Sequence, residues 1–310
     1  MKIALTGGTG FVGRNVADHL AAQGHHVTAW LRPGSDRSRL TMSVDDMVPG
    51  ALGDAEAAER LCSDADAVVH CGWHIPRKSD SGGSAARGSF MTRPEDVAEY
   101  YRVNVVGSVQ LLEAARRSGV GRFVFVSTGA VHGKTVGEEL DEQHPLWPTS
   151  IYGAAKAAVE TAVHGFAWEE DDNGLCVCTI RPTSVFGVDD PPEQSRFYDL
   201  IRRVARDDRV EVSGGGKMVH VDDVALSIAA AITADDHQVR GQTFNCTGGL
   251  ITSRQVAETA AKILGREVTI EGDEPTGGKV MRTDKLESIG IRMDVQRRLE
   301  QTVRELAATF

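Results

Sequence analysis

No run of this 310-residue chain is apolar for long enough to cross a bilayer, which takes roughly 20 consecutive residues. The N-terminus offers only Ile3, Ala4 and Leu5 before its glycines, so a secretory leader is not expected. Basic excess is missing too: 34 Lys and Arg stand against 44 Asp and Glu, a formal charge of -10. That balance leaves no cationic footprint for nucleic acid, and no basic amphipathic helix suggests a membrane surface. Cysteine is sparse. The thiols at 62, 71, 176, 178 and 246 are odd in number, form no CxxC pair and mostly sit in apolar strand contexts. Reduced structural thiols in a cytoplasm are therefore expected, with neither disulfides nor a metal site. There is no internal repeat, and low complexity is confined to KSDSGGSAARGS, Lys78 to Ser89, which reads as a surface loop.

What the chain does have begins at once. Ile3 to Leu5 reads as a short buried strand, followed by Gly7, Gly10 and Gly13 and then the helical run Asn15 to Gln23. Glycine at these positions permits a tight turn, a close backbone approach to a pyrophosphate, and close packing of helix on strand. The free N–H groups at the helix start then face the anion. A glycine loop alone also fits a ligand-free turn, but strand before and helix after are the context a dinucleotide site requires. Strands near 2–6, 26–31, 66–71, 122–127 and 175–181 alternate with helices near 11–23, 54–62, 95–118 and 152–170. This alternation predicts an α/β fold with a doubly wound parallel sheet. The length allows about two domains. Residues 1–181 are expected to form a dinucleotide-binding domain on which 217–249 packs back, with 182–216 and 250–310 forming a smaller substrate-binding domain.

Chemistry concentrates in Tyr152-Gly153-Ala154-Ala155-Lys156, whose i,i+4 spacing puts phenol and ammonium on one helical face. A phenol titrates near ~10, and a neighbouring ammonium favours its ionised form, so the pair reads as a general acid or base for a carbonyl/alcohol couple. The apolar run Arg122 to Val126 reads as a buried strand ending at Ser127 and Thr128. Hydroxyls at the carboxyl end of such a strand face the ligand crevice, although Ser and Thr also serve as turn and cap residues.

In order along the chain, TGGTGFVG, YRVNVVGS, FVSTGAVHG, YGAAK, IRPTSVFG and VHVDDVA resemble the extended short-chain dehydrogenase/reductase superfamily, specifically its NAD-dependent epimerase/dehydratase family. The resemblance covers nearly the whole chain and implies a Rossmann-type fold. It implies that Thr128 hydrogen-bonds the substrate oxygen, that Tyr152 transfers a proton, and that Lys156 holds the nicotinamide ribose while biasing Tyr152 toward phenolate. Cofactor contacts are expected from Gly7, Gly10, Phe11, Val12 and Gly13, from Leu52, Cys71, Gly72 and Trp73, from Asn104 and Ser127, and from Pro182, Thr183, Ser184 and Val185.

Cofactor choice turns on the end of the second strand, where Leu31 and Arg32 stand in place of the acid that binds a ribose 2′-OH, followed by Ser35, Arg37 and Arg39. A guanidinium grips a 2′-phosphate, so NADP(H) is preferred and NAD(H) is the alternative, the arginines then being a solvated loop face. Ala51 stands where related sequences carry an aspartate near the adenine. The insertion Trp73 to Arg93, with Arg77, Lys78, Arg87 and Arg93, is either a lid that attracts an anionic substrate or a solvated loop. His74, Arg77, Gly129, Ala130 and His132 are candidate substrate contacts, and the tail MRTDKLESIGIRMD leans toward a sugar or nucleotide-sugar substrate. The acidic pair that dehydratases of the family carry after the Thr is replaced here by Gly129 and Ala130, leaving hydride transfer in a reductase or an epimerase. The alternatives are a non-sugar carbonyl reductase, or a non-catalytic redox sensor on the same fold. The resemblance further implies a homodimer built on the helices 95–118 and 152–170, with Val103, Val106, Val109, Ala158 and Val163 offering apolar faces; the alternative is that these faces only cover the sheet.

Overall fold

A computed structural model describes residues 1–40, 43–75, 94–168, 174–272 and 278–310. The lid reading of Arg77, Lys78, Arg87 and Arg93 lies outside the described residues. The first part of the chain runs β1 Lys2–Thr6, α1 Phe11–Ala22, β2 His26–Leu31, β3 Asp46–Pro49, α2 Ala55–Cys62, β4 Ala67–His70, α3 Val97–Tyr101, α4 Gly107–Arg117, β5 Arg122–Val126, β6 Glu139–Leu140, α5 Ile151–Ala167 and β7 Val177–Pro182. The rest runs β8 Ser184–Phe186, α6 Tyr198–Arg206, β9 Arg209–Glu211, β10 Gly215–His220, α7 Val221–Thr233, α8 Asp236–Val239, β11 Thr243–Cys246, β12 Gly249–Thr252, α9 Ser253–Leu264, β13 Thr269–Glu271, β14 Val280–Met281, α10 Asp284–Ser288 and α11 Val295–Ala307.

Seven strands form one sheet in the order β11-β7-β5-β4-β1-β2-β3, every adjacent pair parallel. The expected doubly wound parallel sheet is present, and its strand order reverses between β1 and β4, which opens a crevice at their carboxyl ends. The two outermost strands are the ones the hydrophobic pattern does not reveal. β3 is short and mostly exposed, and β11 carries polar Thr243 and Asn245 between its apolar residues. The central strands β4 and β5 are buried at every position, as a sheet covered on both faces requires.

One face packs Ile3, Leu5, Val69 and Val124 against α1 and α7, through Val16, Leu20, Val224 and Ile228. The other packs Ala4, Val68, Phe123 and Phe125 against α2, α4 and α5, through Leu61, Leu111, Leu112 and Val159. A separate cluster joins Phe186, Ile201, Val212, Ile251, Val256 and Leu299, from α6, α9, α11 and the strands between them. Two small pairings tie late segments to early ones. β8, β10 and β12 form a three-stranded sheet, and β14 pairs in parallel with β6.

The expected helix 95–118 is interrupted: Arg102–Val106 forms a π-helical turn between α3 and α4. Such a turn holds one extra residue and often marks a functional position. Here it turns Asn104 into the protein, where it is fully buried.

Candidate active site

The glycine loop lies at the strand-order reversal and is shaped by contact. Gly7 has φ +77°, and a Cβ there would sit 2.7 Å from the Gly72 nitrogen; a Cβ on Gly13 would sit 2.1 Å from the Gly7 oxygen. Both glycines are thus required, one by backbone conformation and both by space. α1 starts at Gly10 with no side-chain cap, so its first-turn N–H groups lack an internal acceptor. Phe11, Val12 and Gly13 line a cavity of about 1770 Å³, well beyond the roughly 300–1000 Å³ of a single drug-sized ligand site. The volume, the uncapped helix start and the absence of Cβ atoms in the cradle fit a dinucleotide together with a second small molecule.

Thr128, Tyr152 and Lys156 line the same cavity. Two loops bring them together. Thr128 follows β5 and caps a short 3-10 turn, Gly129–Val131, by accepting from the Ala130 N–H at 3.2 Å. Ser150 caps α5 by accepting from the Gly153 N–H at 3.1 Å. A Cβ on Gly153 would lie 2.7 Å from the Ala130 oxygen, so the glycine between Tyr152 and Lys156 is what lets α5 press on that turn. The result is a hydrogen bond between the Thr128 hydroxyl and the Tyr152 phenol. Lys156 is 3% exposed; its Nζ donates to the Val126 oxygen at 2.7 Å and lies 3.9 Å from the centre of the Trp73 ring.

The electrostatics differ from the sequence expectation of a phenol drawn toward its anion by the lysine. Burial pushes Tyr152 up to about 12, against the lowering effect of the Thr128 hydrogen bond and with Tyr100 adding to the rise. Burial also takes Lys156 down to about 7, which Cys71 and Glu160 partly oppose. Desolvation is the largest cause for both groups, because both are buried in the wall of the crevice.

Behind them runs a buried polar chain. The Gly72 N–H donates to Thr6 Oγ1 at 2.8 Å, Thr6 Oγ1 lies 2.7 Å from His70 Nδ1, and His70 Nε2 lies 2.9 Å from Ser108 Oγ. Ser108 itself donates to the Asn104 carbonyl, so it accepts from His70, which fixes the neutral tautomer with the proton on Nε2. Burial first, then the Lys156 charge, takes His70 down to about 3. Asn104 does not line the cavity, contrary to its expected cofactor contact. Its side chain accepts from the His74 N–H at 2.7 Å and donates to the His74 and Tyr100 carbonyls at 3.0 and 3.1 Å. It is a clamp on the cavity wall, held there by the π-helical turn.

A sequence model of the NAD dependent epimerase/dehydratase family matches residues 3–247. The chain belongs to that family. It is therefore an enzyme of the short-chain dehydrogenase/reductase superfamily. The dTDP-glucose 4,6-dehydratase of Streptomyces niveus is 29% identical over 295 residues, covering 86% of this chain and 78% of its own. Among solved structures, the UDP-glucose 4-epimerase of Thermotoga maritima with UDP-glucose is similar at TM-score 0.77 and 25% identity, covering 100% of this chain and 99% of its own. The UDP-glucose 4-epimerase of Thermus thermophilus in complex with NAD is similar at TM-score 0.72 and 25% identity, with 100% of both chains covered.

On this epimerase/dehydratase frame, the other residues singled out in the sequence fall as follows. Leu52, Cys71, Gly72 and Trp73 line the cavity, as do Ser127 and Pro182 through Val185. So do His74, Gly129, Ala130 and His132 among the candidate substrate contacts. Arg32 and Ser35 line it where β2 ends, but Arg37 does not; it is exposed and borders a small outer groove. The 3-10 turn Arg37–Arg39 instead points Arg39 inward, where it pairs with Asp189 at 3.2 Å, beside the Arg14 pair to the same carboxylate. Arg77 lies outside the described residues. Sequence reasoning missed the wall formed by Glu193 to Arg196, Lys217 and Met281. These come from irregular segments after β8 and from the late strands β10 and β14, where periodicity carries no signal. The five cysteines are free, and no helix among the described residues is long and apolar enough to cross a membrane.

Proposed function

We propose that this family member is an NAD(P)-dependent oxidoreductase acting on a sugar or nucleotide-sugar, with Thr128, Tyr152 and Lys156 as its catalytic residues. The observation that carries the reading is the convergence of those three side chains in one cavity with the glycine loop. Nicotinamide, when bound, supplies or accepts the hydride. The glycine loop and the start of α1 would hold the pyrophosphate, and Pro182 to Val185 would line the nicotinamide end of the cavity. Tyr152, protonated at neutral pH with its proton held to about 12, donates that proton from its Oη to the substrate oxygen. Thr128, already bonded to the phenol, orients the same oxygen. The Lys156 ammonium offsets the phenolate left behind. A phenol this reluctant to ionise suits reduction of a carbonyl.

Gly129 and Ala130 offer no group to protonate a leaving hydroxyl or to take a ring proton, which argues against dehydration. NADP(H) is the preferred cofactor in this reading, supported by the exposed Arg32 on the cavity wall at the end of β2. The enzyme works in the cytoplasm as a homodimer. The sugar assignment rests on what the similar proteins act on: the solved Thermotoga maritima epimerase holds UDP-glucose.

The test begins with the dinucleotide released on denaturation, identified by mass spectrometry, followed by NADPH and NADH titrations of wild type and Tyr152→Phe. The expected result is an empty site, tighter NADPH binding in both proteins, and a loss of at least about 100-fold in turnover of a keto-sugar panel by the variant. Co-purified NAD near one per chain would favour an epimerase and overturn the NADP(H) preference. Unchanged turnover in Tyr152→Phe would refute the role of the phenol.

A further inference from the structure

Trp73 occupies a position that the mechanism above does not use. It leaves the carboxyl end of β4 at the centre of the sheet, on a loop pinned twice by its backbone, through Gly72 to Thr6 and through His74 to Asn104. The indole is pinned as well: its Nε1 donates to the Tyr100 hydroxyl at 2.7 Å, and Tyr100 on α3 is 4% exposed. So held, the ring meets both members of the Tyr-Lys pair. It stands edge to face against Tyr152, with centroids 6.3 Å apart and planes at 89°, and its face covers the Lys156 Nζ at 3.9 Å. Phe125 lies 4.7 Å from the same nitrogen on another side.

We propose that Trp73 is a positioning residue for Lys156: its indole face holds the ammonium against the Val126 carbonyl and keeps it charged beside Tyr152. The physical basis is the ring quadrupole, which attracts a cation and does nothing for a neutral amine, most strongly where water is excluded. The burial that drives Lys156 down to about 7 is thereby partly compensated, so the ring shifts the population of the ammonium at neutral pH. Other charged or titratable groups face the same amine: Cys71 and His70 from the end of β4, and Glu160 from α5 itself. Glu160, which raises Lys156, is at the same time held in a buried bidentate pair with Arg181, with contacts from 2.6 to 3.1 Å.

The proposal depends on the reading of Lys156 as a catalytic group only for its consequence, and it can be tested with neither cofactor nor substrate. The protein is labelled with lysine carrying 13C at Cε, the Lys156 resonance is assigned by its loss in Lys156→Met, and its midpoint is followed by NMR against pH. Trp73→Met removes the π face while leaving an unbranched apolar side chain over the amine, at some loss of volume; the midpoint is expected to fall by about one pH unit, a tenfold shift toward the neutral amine. Trp73→Phe retains a π face and is expected to recover more than half of that shift. Tyr100→Phe, which frees the indole from its tether, should give a smaller fall and carries the test should Trp73→Met not fold. If the enzyme is active, the loss of kcat/KM as pH rises should move to lower pH by the same amount in Trp73→Met, whereas a purely structural defect would lower the whole profile without moving it. A wild-type midpoint in folded Trp73→Met, or in folded Tyr100→Phe where the first does not fold, would overturn the proposal even in an active enzyme. A chain that turned over nothing would leave the titration decisive.

Discussion

Lys156, proposed as a catalytic group, shows how a buried amine weighs on its own fold. Its pKa of about 7 in the folded chain lies well below the 10.5 of an unburied lysine. Above the unfolded value, both states carry a neutral amine and burial costs little. As pH falls, the unfolded chain takes up the proton first, and the penalty on the folded state grows until it is complete below the folded pKa. Lys156→Met should therefore stabilise the protein, by about 3 kcal/mol at pH near 6 after allowing for the lost bond to Val126, and by almost nothing above pH ~10.5. Urea unfolding of both proteins across that range checks the sign: a gain that grew with pH would contradict the burial account. At this scale the sequence was legible where chemistry needs a residue type at a fixed spacing, as with Tyr152, Lys156 and the three glycines. It misjudged the balance of forces, because i,i+4 spacing reveals proximity and says nothing of how much water the fold excludes.

Between residues and fold stand the elements, and here the π-helical turn decides most. Without the extra residue of Arg102–Val106, Asn104 would be turned away from the loop after β4. Two of its hydrogen bonds fix the backbone of His74, next to Trp73 and the cavity wall, and a third reaches the Tyr100 carbonyl. Asn104→Ala leaves the part-buried His74 N–H without its acceptor and two carbonyls without their donor, and a loss of about 2–4 kcal/mol of stability is expected. Cofactor affinity should fall with it, since Trp73 and His74 border the crevice. Asn104→Asp keeps an acceptor for the His74 N–H but sets its second oxygen against the His74 and Tyr100 carbonyls, so it should lose less only at a pH low enough to protonate the carboxyl. Differential scanning calorimetry with dinucleotide titration reads both effects; an Asp variant as impaired as the Ala variant would show that the donor half of the clamp matters more. The motif YRVNVVGS marked Asn104 as important but assigned it to the cofactor, since a sequence repeat of 3.6 residues cannot show where a helix widens. Likewise β3 and β11 were illegible, being short, partly polar strands at the two edges of the sheet, where one neighbour is lacking and the apolar pattern is weakest.

For the molecule as a whole, the parallel sheet explains why residues from Thr6 to Pro182 share one cavity: its strands deliver their carboxyl ends to the same side, and Lys217 and Met281 are added from strands outside it. The same arrangement leaves α4 and α5 on the opposite layer, side by side over Phe123 and Phe125. Of the apolar positions expected to serve a dimer, Val163 is 2% exposed and belongs to that core, and Val103 borders the cavity. Val106 is 50% exposed, with Val109 and Ala158 half-buried, so the outward apolar strip is narrower than the sequence suggested. The proposed homodimer must place Val106 near its centre, because a stable interface needs roughly 800 Å² per partner and no other apolar residue of that strip is as exposed. Val106→Glu would then bury two like carboxylates across a two-fold axis, at a cost of several kcal/mol, while leaving the monomer fold untouched. Light scattering should give twice the mass of one chain for wild type and the mass of a single chain for the variant at equal concentration, with matching circular dichroism. A wild type that stays monomeric at high concentration would remove the dimer from the account, and a dimeric Val106→Glu would move the interface to another face. Lys156 lies on α5, the helix that the dimer would brace. A monomeric variant with normal turnover would therefore show that α5 is held well enough by Gly153 on the turn after Thr128 and by the core beneath it.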